Sequence, residues 1–505
     1  MVRHNSRFYG QKTALYLGIT TELKKRIKLS SSAARSLKYP PGPTSLFPNK
    51  LLHEFIHNPT QTLMTITKEY GEISHFKFGR QHVYVLNNPE YIENVLVKDY
   101  KNFKKSRGLQ VSKRLLGEGL VTSEGDYHDR QRRIIQPAFL PSRVNKYGEI
   151  VTEFANNMCT IWNDGEKLDI HKSMVNLTSA IISKAVLGSD IKSTEGSHVG
   201  DDLLTCAEYF NRLLMPFGEL IEKIPILPIN KGFQQAKKRL DTIVFNMIKE
   251  HRDNQGKESQ KMDLLYTLLD AQDSDAGINQ MTDAQLRDEV MTIFLAGHET
   301  TANALTWTFY LLSQYPSVEA KLYEELKLVL GNSKVNENEN SGKHDPKSQE
   351  LRIPTVDDLP KLEYTEKIVR EAMRLYPPAW TLGRQAINDY NLDGYIIPAR
   401  SIILMSQYVM HRNPKYFPEP ELFYPERWTK ESKLQLPRFC YFPFGGGIRG
   451  CIGEAFAWME GILIVATVCR HWRMVHESNH KVELKPLITL RPKYGMRMQL
   501  KLKKY

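Results

Sequence analysis

The stretch Phe444-Gly-Gly-Gly-Ile-Arg-Gly-Cys451-Ile-Gly453 constrains this chain more than any other. One cysteine sits among five glycines, and an apolar run with helical spacing, Glu454 to Ala466, follows at once. Glycines permit positive φ and leave backbone N–H groups bare beside the sulfur. A cysteine at a helix N-terminus faces the positive end of the dipole, which predicts a thiolate. A thiolate in a nest of N–H donors is a soft, anionic metal ligand. Cys440 lies eleven residues upstream and Cys469 eighteen downstream, so no zinc-type pair is present. A single thiolate suits the axial position of a heme iron, where it pushes electron density toward O–O cleavage. The bland alternative is a structural cysteine ahead of a core helix.

A second unusual segment lies in a long helical pattern. Thr282-Asp-Ala-Gln285 has the form of a capping box, and a largely apolar run continues to Ser313 before Pro316. About 32 residues at 1.5 Å each predict a helix about 48 Å long. Its middle, Ala296-Gly-His-Glu-Thr-Thr301, places a glycine and four polar residues where a core belongs. Glycine costs roughly 1 kcal/mol there, and buried polar groups cost more unless bonded. Local rules tend to break at functional sites. Thr300 can bond back to the Ala296 carbonyl. Ala296 and Gly297 leave room for a flat group, and Glu299 with Thr300 forms an acid and alcohol pair suited to proton transfer. A polar helix patch at an interface is the competing reading.

Two further groupings stand out. Glu371-Ala-Met-Arg374 puts acid and base three apart on one helix face, and Leu375-Tyr-Pro-Pro378 ends that helix. Pro425-Glu-Arg-Trp428 follows about fifty residues later. On the predicted helix Asp126–Ile135, His128 and Arg132 share a face.

Taken together these segments resemble the cytochrome P450 family. Phe444, Gly447, Arg449, Cys451 and Gly453 fill its Phe-x-x-Gly-x-Arg-x-Cys-x-Gly heme loop, and Ala296 to Thr300 matches its oxygen-activation motif. The resemblance covers residue 40 to the end. It implies a mainly α fold with a minor β region (α+β) and a long central helix over heme b, iron protoporphyrin IX. It implies Cys451 as the metal ligand, with Glu299 and Thr300 catalytic. Ala296, Phe444, Arg449 and Gly453 would surround the cofactor. Arg449, Arg384, His128 and Arg132 would meet the heme carboxylates, His128 standing where the family often has Trp. Glu371, Arg374 and Arg427 would form a structural lock behind the cysteine loop. The activity implied is a monooxygenase that inserts one atom of O2 into a hydrophobic substrate, such as a fatty acid, carotenoid or terpenoid. Electrons would come from a separate ferredoxin, flavodoxin or flavoprotein reductase. A peroxide-driven or isomerising relative usually lacks the acid and alcohol pair, and a heme carrier or sensor has no need of it.

The remaining composition fits this reading. Five cysteines in 505 residues, without paired spacing, make no disulfide framework. The formal net charge of +12 suits a solvated basic surface or a face for an acidic electron-transfer protein, and no nucleic-acid-binding motif accompanies it. Arg370, Arg470 and Arg473 are candidates for that face. Residues 1–38 form a basic arm without the roughly 20 apolar residues that span a bilayer, so no transmembrane anchor is expected, and the arm reads as a disordered tail, a peripheral amphipathic anchor or an organelle transit peptide. Tyr39-Pro-Pro-Gly-Pro43 makes a stiff joint. Residues 39–505 read as a single catalytic domain, monomeric and cytoplasmic, free or peripherally attached to a membrane. Ile73 to Leu86 predicts a hairpin, Asn88-Pro89 a helix start, and Gly331 to Arg352 an exposed polar loop. Short strands are expected at Tyr395–Ile397, Ser401–Met405 and near Leu487–Leu490. Pocket walls are expected at Lys104–Gly119, 206–233, Thr292–Thr300, Ala379–Leu382 and Leu487–Leu490.

Overall fold

The computed structural model describes residues 38–43, 48–189, 193–215, 218–253, 263–269, 281–331 and 351–503. The basic arm up to residue 37, and the interior of the polar loop expected after Gly331, lie outside the described residues.

The joint at Tyr39–Pro43 docks on the sheet that follows it. Pro41 O accepts from His75 N at 3.0 Å. A Cβ on Gly42 would lie 1.8 Å from His75 O, so only glycine permits this approach. Helices α1 (Pro48–His57) and α2 (Pro59–Tyr70) precede the predicted hairpin, β1 (Ile73–Phe78) and β2 (Gln81–Leu86), which turns at Gly79 with φ +59°. Asn88 caps α3 (Pro89–Glu93) through its side chain. Strand β3 (Phe103–Lys105) comes next.

The helical body comprises α4 (Gly125–Ile135), α5 (Pro141–Thr160), α6 (Ile170–Ala185, after the short β4, Lys167–Asp169), α7 (Ser193–Leu214), α8 (Pro228–Asp253), α9 (Asp283–Gln314), α10 (Pro316–Leu330) and α11 (Glu363–Leu375). Strands β5 (Leu382–Ala386), β6 (Tyr390–Leu392), β7 (Tyr395–Ile397) and β8 (Ile402–Met405) follow. Helix α12 (Glu454–Cys469) and strands β9 (Trp472–His476), β10 (Leu484–Pro486), β11 (Leu490–Pro492) and β12 (Arg497–Leu502) complete the chain. The largest sheet has order β1-β2-β8-β5-β3, with β2 and β8 parallel and the other pairs antiparallel. Smaller sheets are β4-β12-β9, β10-β11 and β6-β7. Leu487 to Thr489 form the turn of the β10-β11 hairpin, not a strand of their own.

Helix α9 organises the core. The Thr282 capping box forms as predicted, and the helix runs 32 residues to Gln314. Buried residues lie on all its sides, from Leu286 to Leu312, because α6, α8, α11 and α12 pack around it. A helix apolar all round is a buried helix, so its water-accessible centre is the exception to explain.

Candidate active site

The cysteine loop is a tight structure built on glycine. Gly445 and Gly447 have φ of +71° and +67°. A Cβ on Gly447 would fall 2.1 Å from Leu96 O. Cys451 N bonds Phe444 O at 2.9 Å and Gly450 N bonds Gly447 O at 3.0 Å, which folds the loop back on itself. Helix α12 starts three residues past the cysteine, with Gly453 as its N-cap.

Of the five cysteines, Cys159, Cys206, Cys440 and Cys469 are buried, and Cys451 alone is accessible to water. Protein nevertheless surrounds Cys451, and this enclosure pushes its thiol up to about 11. A thiol that is enclosed and yet wetted lines an internal cleft. The expectation of a dipole-lowered thiol is therefore corrected. One backbone N–H, from Gly453, opposes the desolvation and loses to it. A metal cation would stabilise the thiolate that the helix end alone does not.

On α9, Ala296 is likewise open to water although Phe294, Leu295 and His298 beside it are buried. The helix thus shows a small side chain to an interior opening. Thr300 Oγ1 donates to Ala296 O at 2.8 Å, the bond expected from sequence. Glu299 Oε1 accepts from Thr489 Oγ1 at 2.6 Å, and Arg491 Nη1 lies 3.9 Å from it.

A cluster of cations adjoins the cysteine loop. Arg449 donates to Ser123 O at 2.8 Å and Glu124 Oε2 at 2.6 Å. Lys105, 5% exposed, donates through Nζ to Leu120 O and Ser123 O. Arg384 is 8% exposed and donates to the neighbouring Gly383 O at 3.1 Å. Burial and the mutual repulsion of these cations push Lys105 down to about 7 and Arg384 down to about 10, with Glu124 opposing. Three cations thus face one carboxylate. His128 is buried, not an exposed helix residue, and its Nδ1 meets Asp129 Oδ1 at 2.8 Å. Burial, with Arg449 and Lys105 nearby, drives it down to about 4. In the neutral ring the proton sits on Nδ1 toward Asp129, so His128 could donate from Nε2 only as imidazolium. Arg132 donates to Gly450 O at 2.8 Å and so braces the cysteine loop directly.

Behind the loop, Glu371 is fully buried. Its Oε1 accepts from Arg374, Arg427 and Tyr424 N, and its Oε2 from Arg374 and Trp428 Nε1, all at 2.8 to 3.0 Å. Sequence reasoning found the three charged members and missed Tyr424 and Trp428. It also missed Lys105, His411 and Thr489. Arg470 does not belong to a surface patch: it is 4% exposed and donates to Leu351 O at the end of α12. Arg370 is wedged among Trp428, Tyr441 and Trp458 and paired with Glu366, and Arg473 pairs with Glu319.

The fold is thus mainly helical, with an acid and alcohol pair at the centre of a buried helix and a glycine-bound cysteine beside a cation cluster. Residues 40–498 match the cytochrome P450 family, and the chain belongs to that family. It is 34% identical over 433 residues to cyclooctatin synthase of Streptomyces melanosporofaciens, covering 86% of this chain and 89% of that protein. It is 33% identical to cyclooctat-9-en-7-ol 5-monooxygenase of the same organism, covering 82% and 85%. It is 29% identical to pentalenene oxygenase of Streptomyces avermitilis, covering 86% and 92%.

The protein is accordingly a cytochrome P450 monooxygenase whose cofactor is heme b, and it works with O2, a hydrophobic substrate and a redox partner. The residues present fit that cofactor. The excess of buried cations suits a group with two carboxylates, and the wetted Cys451 suits its metal. When bound, the heme supplies oxygen activation and the transfer of one oxygen atom. No helix among the described residues is long and apolar enough to cross a membrane.

Proposed function

We propose that Cys451 ligates the heme iron, that Lys105, Arg384 and Arg449 hold the two heme carboxylates, and that the substrate is a cyclic terpenoid. His128 and Arg132 support the carboxylate side, Phe444 and Gly453 shape the loop around the sulfur, and Ala296 leaves room above the cofactor. The observation that carries the assignment is the accessibility of Cys451 inside the fold, where the other four thiols are packed in the core. Glu299 and Thr300 serve as the proton-handling pair. Thr300 Oγ1 holds its proton on Ala296 O, from which a rotation of the side chain turns it into the cleft.

The substrate class rests on the names of the relatives together with the chemistry of the pocket segments. Trp380 is fixed by its Nε1 bond to Leu487 O at 2.8 Å, and Ile488 is 46% exposed beside it. An apolar wall with few polar groups suits a rigid hydrocarbon skeleton carrying at most a hydroxyl. Residues 39–505 act as one domain, and the protein is a cytoplasmic monomer, a state that light scattering on the purified protein tests.

Two measurements test the reading. The reduced protein with carbon monoxide shows the red-shifted band of thiolate-ligated heme, Cys451→Ala loses it, and Cys159→Ala, Cys206→Ala and Cys469→Ala keep it. Retention of the band in Cys451→Ala refutes the ligand. Cyclic terpenoid alcohols shift the heme optical spectrum, whereas a shift given by fatty acids alone refutes the substrate class.

A further inference from the structure

Glu299 does not stand alone on α9. Thr489 Oγ1, which bonds Glu299 Oε1 at 2.6 Å, also meets Asn303 Nδ2 at 3.4 Å. Asn303 Oδ1 meets His171 Nε2 at 3.1 Å. Asn303 is fully buried, and Thr489 and His171 are 7% and 6% exposed. The β10-β11 turn that carries Thr489 is pinned on both sides, by Trp380 Nε1 to Leu487 O and by Trp307 Nε1 to Leu490 O at 3.0 Å. Thr489 is therefore a donor on a fixed support.

With the Asn303 amide nitrogen set toward Thr489, donor and acceptor accounting leaves one arrangement of hydrogens. Asn303 gives its amide N–H to Thr489, so its oxygen accepts, and His171 carries its proton on Nε2. A hydroxyl has a single proton. Thr489 accepts from Asn303 and gives that proton to Glu299. Every hydrogen from His171 onward thus points toward the carboxylate. A side-chain amide in the middle cannot pass a proton along without surrendering its own N–H, so this chain orients and does not conduct. With Oε1 committed to Thr489, Oε2 is left to exchange protons.

We propose that Thr489, held by Asn303 and His171, is a positioning residue that fixes the Glu299 carboxylate beside the β10-β11 turn, with Oε1 held and Oε2 left to exchange protons. The inference rests on the reading of Glu299 as a proton-handling acid. The charged and titratable groups around it are Arg491 from β11, His171 and Asp169 from the start of α6, and His298 from α9 itself. Burial and Arg491 hold His171 down to about 4, so the ring stays neutral and the direction of the chain holds through the working pH range.

The test compares Thr489→Val, which keeps the shape and removes the hydroxyl, with Thr489→Ser, which keeps the hydroxyl. Infrared difference spectra of the purified protein follow the carboxyl stretch that is absent from Glu299→Gln. In Thr489→Val the stretch moves in frequency, the loss of one charge-assisted hydrogen bond, and in Thr489→Ser it stays at the wild-type value. In the heme-loaded enzyme with a redox partner, Thr489→Val lowers the product formed per reductant consumed and Thr489→Ser restores it. An unchanged stretch in Thr489→Val overturns the proposal, and so does a Ser variant displaced as far as the Val variant, which would mark packing as the cause. If Glu299→Gln leaves coupling untouched, the proton-handling reading of Glu299 fails, whatever the stretch does in the Thr489 variants.

Discussion

Replacing Glu371 by Gln tests the lock behind the cysteine loop at nearly constant volume. The carboxylate takes five hydrogen bonds, three on Oε1 and two on Oε2, inside a site with no solvent exposure. Gln keeps one oxygen and turns an NH2 toward the donors that met the other. Either orientation sets N–H against N–H and leaves the buried Arg374 guanidinium without a counter-charge. Removing one member of a buried pair costs about 3–5 kcal/mol, against a total stability of about 5–15 kcal/mol for a native domain.

The damage reaches the heme site by a traceable route. Arg374 Nη1 donates to His411 O at 2.9 Å, His411 Nε2 accepts from Phe442 N at 3.0 Å, and Phe442 O accepts from Gly445 N at 3.0 Å. Gly445 opens the turn that carries Cys451. Denaturant titration of Glu371→Gln gives a midpoint lowered by the equivalent of about 3 kcal/mol or more, and the purified variant carries substoichiometric heme. A variant within about 1 kcal/mol of wild type, with full heme content, would refute the reasoning and reduce the cluster to an ordinary surface pair.

Thr300→Ala keeps heme and substrate binding but sends more reductant to hydrogen peroxide and water, within the order of 10²–10⁴ expected for general acid–base contributions; an unchanged product-to-reductant ratio counts against the pair. Lys105→Met, which keeps the stem and removes the charge, weakens heme retention by roughly tenfold or more, the value of one charge-assisted bond, measured by transfer of heme to apomyoglobin; equal transfer rates would remove Lys105 from the site. Glu460 is 1% exposed, and burial pushes it up to about 8 against the opposing influence of Thr301. It stays protonated in the folded state while the unfolded chain ionises above about pH 4.5, so stability falls as pH rises from 4.5 toward 8, and Glu460→Gln stabilises the protein at pH 7 by up to about 3 kcal/mol; denaturation at pH 5 and pH 7 reads this as a gain that grows with pH. His171 and His411 carry the opposite sign, both buried and held below the usual imidazole range. The unfolded chain binds protons there below about pH 6.5 and the native state does not, so stability falls as pH drops below 6.5, toward 4 for His171, by up to about 1.4 kcal/mol per pH unit for each ring, and a flat profile would show that these rings are solvated.

Much of the site was legible because its motifs are local. The Thr282 cap, the Thr300 bond to Ala296 O and the Glu371–Arg374 pair each lie within four residues, where helical periodicity fixes who meets whom. The turns at Gly445 and Gly447 follow from glycine itself. What sequence did not show depends on tertiary enclosure. Lys105 stands in Lys101-Asn-Phe-Lys-Lys-Ser, which reads as a solvated charged run until β3 pairs with β5 and sets Lys105 opposite Arg384. Thr489 is 190 positions from Glu299, and nothing near either residue signals the other. Arg470 looked like surface charge and is buried, because the chain around Leu351 returns over the end of α12. The Cys451 expectation failed on magnitude: the helix dipole was weighed without the desolvation that opposes it.

The same desolvation explains why the cations beside the loop are arranged as they are. Lys105, Arg384 and Arg449 share Glu124 as a nearby carboxylate, Asp129 adding to it for Arg449, and each is pushed toward its neutral form by burial first and by a neighbouring cation, Arg449 for Lys105 and Arg384, and Arg132 for Arg449. Adding protein carboxylates would relieve them, but would also satisfy them before any cofactor arrived. Leaving the cluster short of negative charge keeps its attraction for a group that brings two carboxylates of its own. Arg132 and Arg449 divide the work on the other side, one bonded to Gly450 O and the other to Ser123 O and Glu124, so the loop that carries Cys451 is tied to the segment ahead of α4 and to α4 itself. On the proposed assignment, the charge that would hold the edge of the cofactor also sets the position of the sulfur. Loss of either arginine should weaken cofactor binding and loop order together, not one without the other.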